Sequence, residues 1–271
     1  MRSSRRQIGP AALTFLVAGA MCFPILWTFF TGFKNEPDAI AMPPTVFVPL
    51  TLEHYEGALT GNYPHYLANT LIAVVGSILA AFALGLPAAY KLAFFPGRKA
   101  NDILFFALST RFMPGVAVIV PIFLLYAKTG LIDSLTGLVI MYTTLNIPIV
   151  IWLMRSFFKD IPYELVEAAL MEGAGHRAIF FELVLPLAKA GLATTTFLLL
   201  ILTWNEFFFA VNLSGHGAAT LPVYMASFFT SEGQSWARMS AAAILAVLPV
   251  LAVGWIASRA LIKGTLSGAV K

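Results

Sequence analysis

Long apolar stretches constrain the fold of this chain more than any other feature of its sequence. Of its 271 residues, 59% are apolar and 11% are charged, against about 45–50% and about 25% in an ordinary soluble domain. A membrane-spanning helix needs about 20 apolar residues, and six stretches meet this requirement: residues 11–33, 66–90, 103–127, 134–154, 190–212 and 239–258. They are apolar nearly all round, so the sequence predicts an all-α protein with six transmembrane helices in one domain over residues 1–271.

Basic residues predict how these helices are oriented. The first stretch is too long for the apolar core of a signal peptide and no cleavage pattern follows it, so we expect an uncleaved first span. With the N-terminus inside, the opposite side of the membrane holds only Lys34, Lys128 and Arg238, and Arg111 lies within the third stretch. All other basic residues then fall in cytoplasmic segments. This asymmetry satisfies the positive-inside rule and predicts that both termini are cytoplasmic.

No pattern in the chain predicts catalysis or a bound metal. Its one cysteine, Cys22, excludes an internal disulfide and a cluster of soft metal ligands. The histidines all lie between the apolar stretches, and neither an H-E-x-x-H motif nor a G-x-x-x-x-G-K-[ST] phosphate loop occurs. We therefore expect no catalytic residues and no cofactor bound by this chain. If ATP drives its activity, another subunit must hydrolyse it.

A charged stretch rich in small residues lies between the fourth and fifth apolar stretches, at residues 159–189. Pro162 suits the first turn of a helix, and Glu164 lies near the positive end of that helix dipole. Small residues then predict a thin helix that ends abruptly at glycines: Ala168, Ala169, Gly173, Ala174 and Gly175. Such a helix can dock in a groove of another protein, because small side chains allow close backbone contact, with Glu167 and Glu172 at the rim.

The alternative for this stretch is an amphipathic helix that lies on the inner leaflet. Four aromatic residues suit that position: Phe157, Phe158, Phe180 and Phe181. Four acidic residues do not, because they would face an anionic lipid surface: Glu164, Glu167, Glu172 and Glu182. The sequence therefore favours docking.

This stretch resembles the coupling segment of ABC importer membrane subunits. The resemblance rests on Glu167-Ala168-Ala169, Gly173, Leu183, Leu185 and Pro186, with Leu183 where Ile is more usual. Further motifs are similar to the maltose-type permease family: Trp204-Asn205-Glu206-Phe207, Leu221-Pro222, and the ending from Lys263-Gly264 to Gly268-Ala269-Val270-Lys271. The resemblance implies ATPase coupling through Glu167, Ala168, Ala169, Gly173, Leu183 and Pro186.

The same resemblance implies the partners and location of the protein. A maltose-type permease pairs with a homologous sister permease in the bacterial cytoplasmic (inner) membrane. Two ATP-binding subunits, which use ATP and Mg²⁺, would dock on residues 159–189, and a periplasmic or lipid-anchored solute-binding protein would deliver the solute. In that family the C-terminal tail also reaches the ATPases. We therefore expect an importer of a sugar or sugar-like solute, such as a sugar alcohol or an anionic sugar.

Polar residues inside the apolar stretches are candidates for the solute pathway, because burying them in lipid is unfavourable: Asn69, Arg111, Asn146, Trp204, Asn205 and Glu206. At about 1.5 Å per residue, Asn205 and Glu206 lie roughly 10 Å from the outer end of their stretch, whereas Arg111 and Asn146 lie about 12 Å from the inner ends of theirs. We therefore expect two polar levels, and this depth does not place Arg111 beside Glu206 unless helix tilt closes the gap.

The outer level suits a sugar, because amides and carboxylates bond hydroxyl groups and Trp204 offers an apolar ring face. Helix packing with an outer aromatic belt is the alternative for Trp204 to Phe207. For Arg111 the alternative is an internal ion pair or a carbonyl partner, and an unpaired Arg111 would favour an anionic sugar. Other classes stay open: an ABC permease for a non-sugar solute, and a secondary transporter, for which Glu206 is the one intramembrane acid.

Overall fold

The computed structural model describes residues 4–230 and 233–268, with side chains described over 13–229 and 235–255. All regular elements of the described chain are helices apart from one antiparallel pair of two-residue strands, which confirms the predicted all-α class. The last three residues of the C-terminal motif, Ala269, Val270 and Lys271, lie outside the described residues.

The helices and strands follow one another along the chain. They are α1 (Ser4–Thr31), α2 (Glu36–Ala39), α3 (Glu53–Thr60), α4 (Tyr63–Phe94), α5 (Ala100–Arg111), α6 (Gly115–Thr129), α7 (Leu135–Lys159), α8 (Tyr163–Met171), α9 (His176–Ala178), a π-helical turn (Ile179–Val184), α10 (Leu185–Leu187), α11 (Lys189–Trp204), α12 (Phe208–Leu213), α13 (Leu221–Ala226), β1 (Phe229–Thr230), β2 (Gly233–Gln234) and α14 (Trp236–Gly268).

Four helices of the described chain are long and apolar enough to cross a membrane: α1, α4, α7 and α14. Two further pairs of helices, each bent at a short break, bring the number of candidate spans to six if each pair is one span. The predicted windows 11–33, 66–90, 134–154 and 239–258 correspond to the four continuous helices, with ends that differ by several residues. The other two windows need correction.

The prediction of one continuous span over residues 103–127 is wrong. α5 ends at Arg111 and α6 starts at Gly115, and the two helices meet at 88°. Pro114 precedes α6 with ψ 126°; it has no N–H to donate, and it disfavours helical geometry in the residue before it. The break leaves Arg111 at a helix end inside the third candidate span.

The prediction of one continuous span over residues 190–212 is also wrong. α11 ends at Trp204, and α12 begins only at Phe208. At the other end, the segment His176–Leu187 meets α11 at 76°. Polar side chains contact the backbone at this break. The Asn205 side-chain amide donates at 2.8 Å to the Ile201 carbonyl, which also accepts the Asn205 backbone N–H at 3.3 Å, and Glu206 accepts from α12.

The chain divides into two compact units, residues 1–64 with 224–248 and residues 65–223 with 249–271. We call them the first and second unit. In the first unit, Glu36 accepts hydrogen bonds from the N–H groups of Ala237 and Arg238, at 3.0 and 3.1 Å, at the start of α14. The assignment of residues 1–271 to one transmembrane domain stays a prediction.

Helix α7 organises the second unit, where it contacts α5, α11 and α12. Its inward face carries Leu138, Met141 and Tyr142, which pack with Tyr126 of α6 and Phe209 of α12. Small residues let neighbouring helices approach α7 closely. A Cβ on Gly85 of α4 would come within 2.7 Å of Val150, and one on Gly191 of α11 would overlap the ring of Phe157.

Candidate functional site

The predicted coupling helix is present as α8 and ends where the glycines indicated. Gly173 has φ +85°, a left-handed conformation that glycine adopts without a Cβ penalty. Its N–H donates to Leu170 O and the N–H of Ala174 donates to Ala169 O, both at 3.0 Å. These two bonds form a Schellman motif, which satisfies the last carbonyls of the helix and stops it.

One face of α8 is buried and the opposite face is open. Val166 is completely buried within the protein, whereas Glu167 and Ala168 are exposed and Ala169 is half-buried. A Cβ placed on Gly173 would meet nothing within 4 Å. The motif residues Glu167, Ala168 and Gly173 therefore lie on a free surface of the described chain, where another protein can reach the backbone.

The second half of the motif connects α8 to α11. Ile179–Val184 form a π-helical turn, and Pro186 follows in α10 with no N–H to donate to the carbonyl four residues earlier. Val184 is completely buried and Leu183 is half-buried, whereas Pro186 is exposed. The segment bends by 76° into α11, so it joins the α8 region directly to the start of a candidate span.

The structure brings residues of the two predicted polar levels together in one cluster. Arg111, Asn146 and Glu206 line the same small cavity, together with Tyr142 and Thr203. The depth estimate, which did not place Arg111 beside Glu206, is therefore wrong. It assumed straight helices, whereas Arg111 stands at the break between α5 and α6, and Glu206 stands at the break after α11.

Glu206 is held by the backbone of α12. Its two carboxylate oxygens accept hydrogen bonds from the N–H groups of Phe209 and Ala210, at 2.9 and 3.1 Å. A carboxylate at the N-terminal end of a helix is stabilised by the helix dipole and by the free N–H groups. The Arg111 guanidinium also interacts electrostatically with Glu206. The two charges offset each other across the cavity, and no ion pair joins them among the described side chains.

Tyr142 carries a buried hydroxyl group in this cluster. It is 2% exposed and lines the small cavity. Its Oη makes no hydrogen bond of good geometry within the described chain, but it interacts with the side chains of Glu206 and Thr220. Asn146 and Thr203, in contrast, satisfy each other at 3.0 and 3.3 Å. Sequence reasoning missed Tyr142 and Thr203, although Tyr142 precedes Asn146 by one helical turn and so shares its face.

A larger cavity adjoins the cluster. It has a volume of about 350 Å³ and shares Arg111, Leu145 and Glu206 with the small one, and its other walls are mostly apolar. Small-molecule sites are typically clefts of about 300–1,000 Å³ with apolar walls and a few polar groups that set orientation. The larger cavity can therefore hold a small polar solute against Arg111 and Glu206.

The other predicted solute residues have different surroundings. Asn69 is buried and donates to the carbonyls of Gly217 and Ala219, at 2.9 and 3.0 Å, so its amide holds the loop after α12 against α4. Trp204 is only 6% exposed and belongs to the packed end of α11. Asn205 is exposed, but its amide donates to Ile201. Only Arg111, Asn146 and Glu206 of the six predicted residues line the small cavity.

Asp133 also holds the loop after α12, which sequence reasoning did not foresee. Its carboxylate accepts three backbone hydrogen bonds, from Gly215 at 2.7 Å, Ala218 at 2.8 Å and Gly217 at 3.1 Å. Its own φ is +53°, a region that Asp tolerates better than most residues. Burial raises the pKa of Asp133, but the three N–H donors outweigh burial and leave the pKa below its ordinary value of 3.8.

We predict that Asp133 stabilises this loop in a pH-dependent way. Because its folded pKa lies below the unfolded one, the stabilisation is complete above the unfolded pKa and is lost as the pH falls through the folded pKa. Asp133→Asn should raise the hydrogen-exchange rates of the Gly215, Gly217 and Ala218 amides at neutral pH and reduce their sensitivity to acid, after correction for intrinsic exchange. Asp102→Asn, at an exposed position in α5, is the matched control. Unchanged protection in Asp133→Asn would contradict the assignment.

The fold and these two sites define the membrane subunit of a solute transporter. Residues 81–265 match the family described as "Binding-protein-dependent transport system inner membrane component", and the chain belongs to this family. Within the described residues, no group of three or more His, Cys, Asp or Glu side chains could hold a metal ion. The family assigns the chain to the permease subunits of ABC importers, which are transport subunits and not themselves enzymes.

Individual proteins support the same assignment over nearly the whole length. The chain is 34% identical to the probable ABC transporter permease protein y4oR of Sinorhizobium fredii, over 94% of this chain and 92% of that protein. It is 32% identical to the trehalose transport system permease protein SugB of Mycobacterium tuberculosis, over 99% of both. A chain of a bacterial ABC transporter involved in the import of the acidic polysaccharide alginate matches with a TM-score of 0.77 and 26% identity, over 96% of this chain and 98% of that chain.

Proposed function

We propose that this protein is the permease subunit of an ATP-driven ABC importer for a sugar or sugar-like solute. The observation that carries the solute class is the similarity to the trehalose permease, which covers 99% of both chains. The alginate importer, similar over 96% of this chain, handles an acidic polysaccharide. The walls of the larger cavity combine apolar surface with the Arg111–Glu206 pair, which suits a solute rich in hydroxyl groups.

The exposed face of α8 is the proposed docking site for an ATP-binding subunit. Glu167, Ala168, Ala169 and Gly173 would enter a cleft of that subunit, and Leu183 and Pro186 would transmit its closure to α11 through the bend. Two aromatic side chains that an interfacial helix would place in lipid, Phe158 and Phe180, are buried in the protein. Their burial supports docking over the interfacial alternative.

The complex that we propose contains several chains. A homologous sister permease pairs with this one, two ATP-binding subunits dock on residues 159–189 and use ATP and Mg²⁺, and a periplasmic or lipid-anchored solute-binding protein delivers the solute. The complex lies in the bacterial cytoplasmic membrane with the termini of this chain in the cytoplasm. The apolar helix over residues 13–30 has no buried side chain, which suits contact with lipid or with the sister permease.

The solute path is proposed to pass Arg111, Glu206 and Tyr142. Arg111 and Glu206 line both cavities, and the Tyr142 hydroxyl interacts with Glu206 from the small one. Because Glu206 offsets the charge of Arg111, the path does not require an anionic solute. Asn146 supports this wall through Thr203, and we place Asn205 and Trp204 at its edge and Asn69 at the outer loop.

Uptake in membrane vesicles tests the proposed function. Vesicles that contain the permease pair, the ATP-binding subunits and the loaded solute-binding protein should accumulate labelled sugar only with ATP and Mg²⁺ present. Removal of the ATP-binding subunits should abolish accumulation. Accumulation driven by an ion gradient without those subunits would instead establish a secondary transporter, and ATP-driven uptake of a non-sugar solute alone would replace the solute class.

We predict that labelling of single cysteines will confirm the orientation with both termini inside. In a Cys22→Ser background, a membrane-impermeant thiol reagent added to intact cells should modify Glu53→Cys and Gly217→Cys and leave Gly97→Cys and Gly175→Cys unmodified. All four positions are exposed, so the accessibility of the side chain does not bias the comparison. Permeabilised cells, in which all four should react, provide the control. The reverse pattern in intact cells would contradict the assignment.

A further inference from the structure

A polar cavity of about 300 Å³ lies in the first unit of the protein. Helix α3 contributes Glu53, His54 and Gly57 to its lining, and Arg238 in the first turn of α14 lies in its wall. The backbone N–H of Arg238 is tied to Glu36 at 3.1 Å, which fixes this part of the wall. The volume is at the lower end of the range for small-molecule sites.

His54 is the feature of this cavity that points to a ligand. Its side chain is 8% exposed, and Nε2 is buried without a hydrogen-bond partner within the described chain. Buried polar groups in native structures almost always have a partner, and an imidazole nitrogen can donate or accept a hydrogen bond according to its tautomer. A ligand with hydroxyl groups satisfies Nε2 in either tautomer.

The glycine at the centre of α3 keeps the cavity open. A Cβ on Gly57 would meet nothing within 4 Å, although an ordinary residue in its place would form a more stable helix. Residues 53, 57 and 61 lie at successive turns of the chain, and all three positions line the cavity. The absence of a side chain at the middle position therefore leaves room for an occupant.

The chemistry of the lining indicates a neutral sugar unit. Glu53 and the Asn62 amide accept hydrogen bonds, and Arg238 and Asn62 donate them. Phe228 adds an aromatic ring to the wall. The charges of the Glu53 carboxylate and the Arg238 guanidinium offset each other. Glu53 would therefore repel an anionic ligand. Hydroxyl groups need both donors and acceptors, and a sugar ring has apolar C–H faces that contact an aromatic side chain.

We propose that this cavity is a binding site for a neutral sugar unit, separate from the residues assigned to the solute path. The ligand class rests on the proposed function as a sugar importer. The existence of the site rests on the buried His54 nitrogen and on the open space at Gly57. The site gives the permease a direct contact with the solute outside the membrane-spanning helices.

Site-specific cysteine labelling tests the proposal in the full complex, in vesicles without the solute-binding protein. In a Cys22→Ser background, glucose, galactose, mannose and trehalose are each tested as protectors of Gly57→Cys against an impermeant thiol reagent. At ten times its dissociation constant, a sugar that fills the cavity should slow labelling about tenfold by mass action. Glu56→Cys, exposed and outside the lining, is the matched control and should react at an unchanged rate. Adding His54→Phe should abolish the protection, whereas His54→Gln should retain part of it.

The outcomes separate this proposal from the proposed function. No protection by any of the four sugars, equal slowing at Gly57→Cys and Glu56→Cys, or stronger protection by glucuronate than by glucose would overturn the neutral sugar site. Slowing by the solute-binding protein alone, without sugar, would also overturn it in favour of a protein contact. Protection at Gly57→Cys in a complex that shows no ATP-driven sugar uptake would overturn the proposed function and support the site.

Discussion

Gly173→Leu should uncouple ATP hydrolysis from solute uptake while the complex still assembles. Gly173 has φ +85°, and a left-handed conformation costs a residue with a side chain about 1–2 kcal/mol. This cost is large enough to shift the population of a docked state by a factor of about 5–30. The new side chain meets no atom of this chain within 4 Å, so the membrane helices should pack normally. ATP-driven uptake and ATPase activity, measured on the same purified complex, would show the loss of coupling.

Gly175 provides a matched control for Gly173. It lies two residues further along the chain with φ −73°, and a Cβ there also meets nothing within 4 Å. Gly175→Ala should therefore retain uptake where Gly173→Ala reduces it. Gly173→Asn should recover part of the activity, because Asn tolerates the left-handed region. Normal uptake and normal stimulation of ATPase activity in Gly173→Leu would contradict the coupling role of α8.

Arg111→Met should abolish uptake and leave expression, assembly and basal ATPase activity intact. Arg111 lines both cavities and interacts with Glu206, and Glu206 keeps its two backbone partners without it. Both side chains are half-buried and no ion pair joins them among the described side chains, so loss of the Arg111 charge should leave the fold intact. If the solute occupies this position in transit, the uptake rate should fall by a factor on the order of 100 or more. Transport assays measure the loss of uptake, and a pull-down of the partner subunits measures assembly.

Tyr142→Phe distinguishes a solute contact from a packing role at the same wall. The variant removes only the Oη, which makes no hydrogen bond of good geometry but interacts with Glu206 and Thr220, so protein stability should change little. A rise in KM for uptake would then report a lost solute contact. Unchanged uptake kinetics in well-assembled Arg111→Met and Tyr142→Phe complexes would refute the proposed path. Failed assembly of Arg111→Met would show a structural role for the guanidinium.

The features that the sequence predicted well depend on local chemistry. Long apolar stretches predicted spanning helices, because a segment that crosses the hydrocarbon core must satisfy its own backbone hydrogen bonds, whatever the rest of the protein does. The glycines predicted where α8 ends, and the Schellman hydrogen bonds at Gly173 confirm this end. The sequence could predict it because these bonds join residues that are close in the chain. The coupling function of Glu167, Ala168 and Gly173 stays a prediction from the resemblance.

The polar cluster shows where local chemistry was insufficient. Depth along a straight helix separated Arg111 from Glu206, but Pro114 breaks one span and the capped turn at Glu206 breaks another. Nothing in the neighbourhood of Asn69 in the sequence revealed that it binds the carbonyls of Gly217 and Ala219, because those partners lie far away along the chain. The same distance hid the bonds of Asp133 to that loop.

The sequence by itself determined the environment of the chain, the number of its candidate spans, the family to which it belongs and the position of its exposed coupling helix. Each of these follows from composition or from residues near one another, for which the physical constraint is local. The tertiary structure decided which polar groups meet. Whether a buried group such as Asn69, Tyr142 or His54 has a partner depends on breaks and bends that bring distant segments together, and a partner in space has no fixed spacing in the sequence.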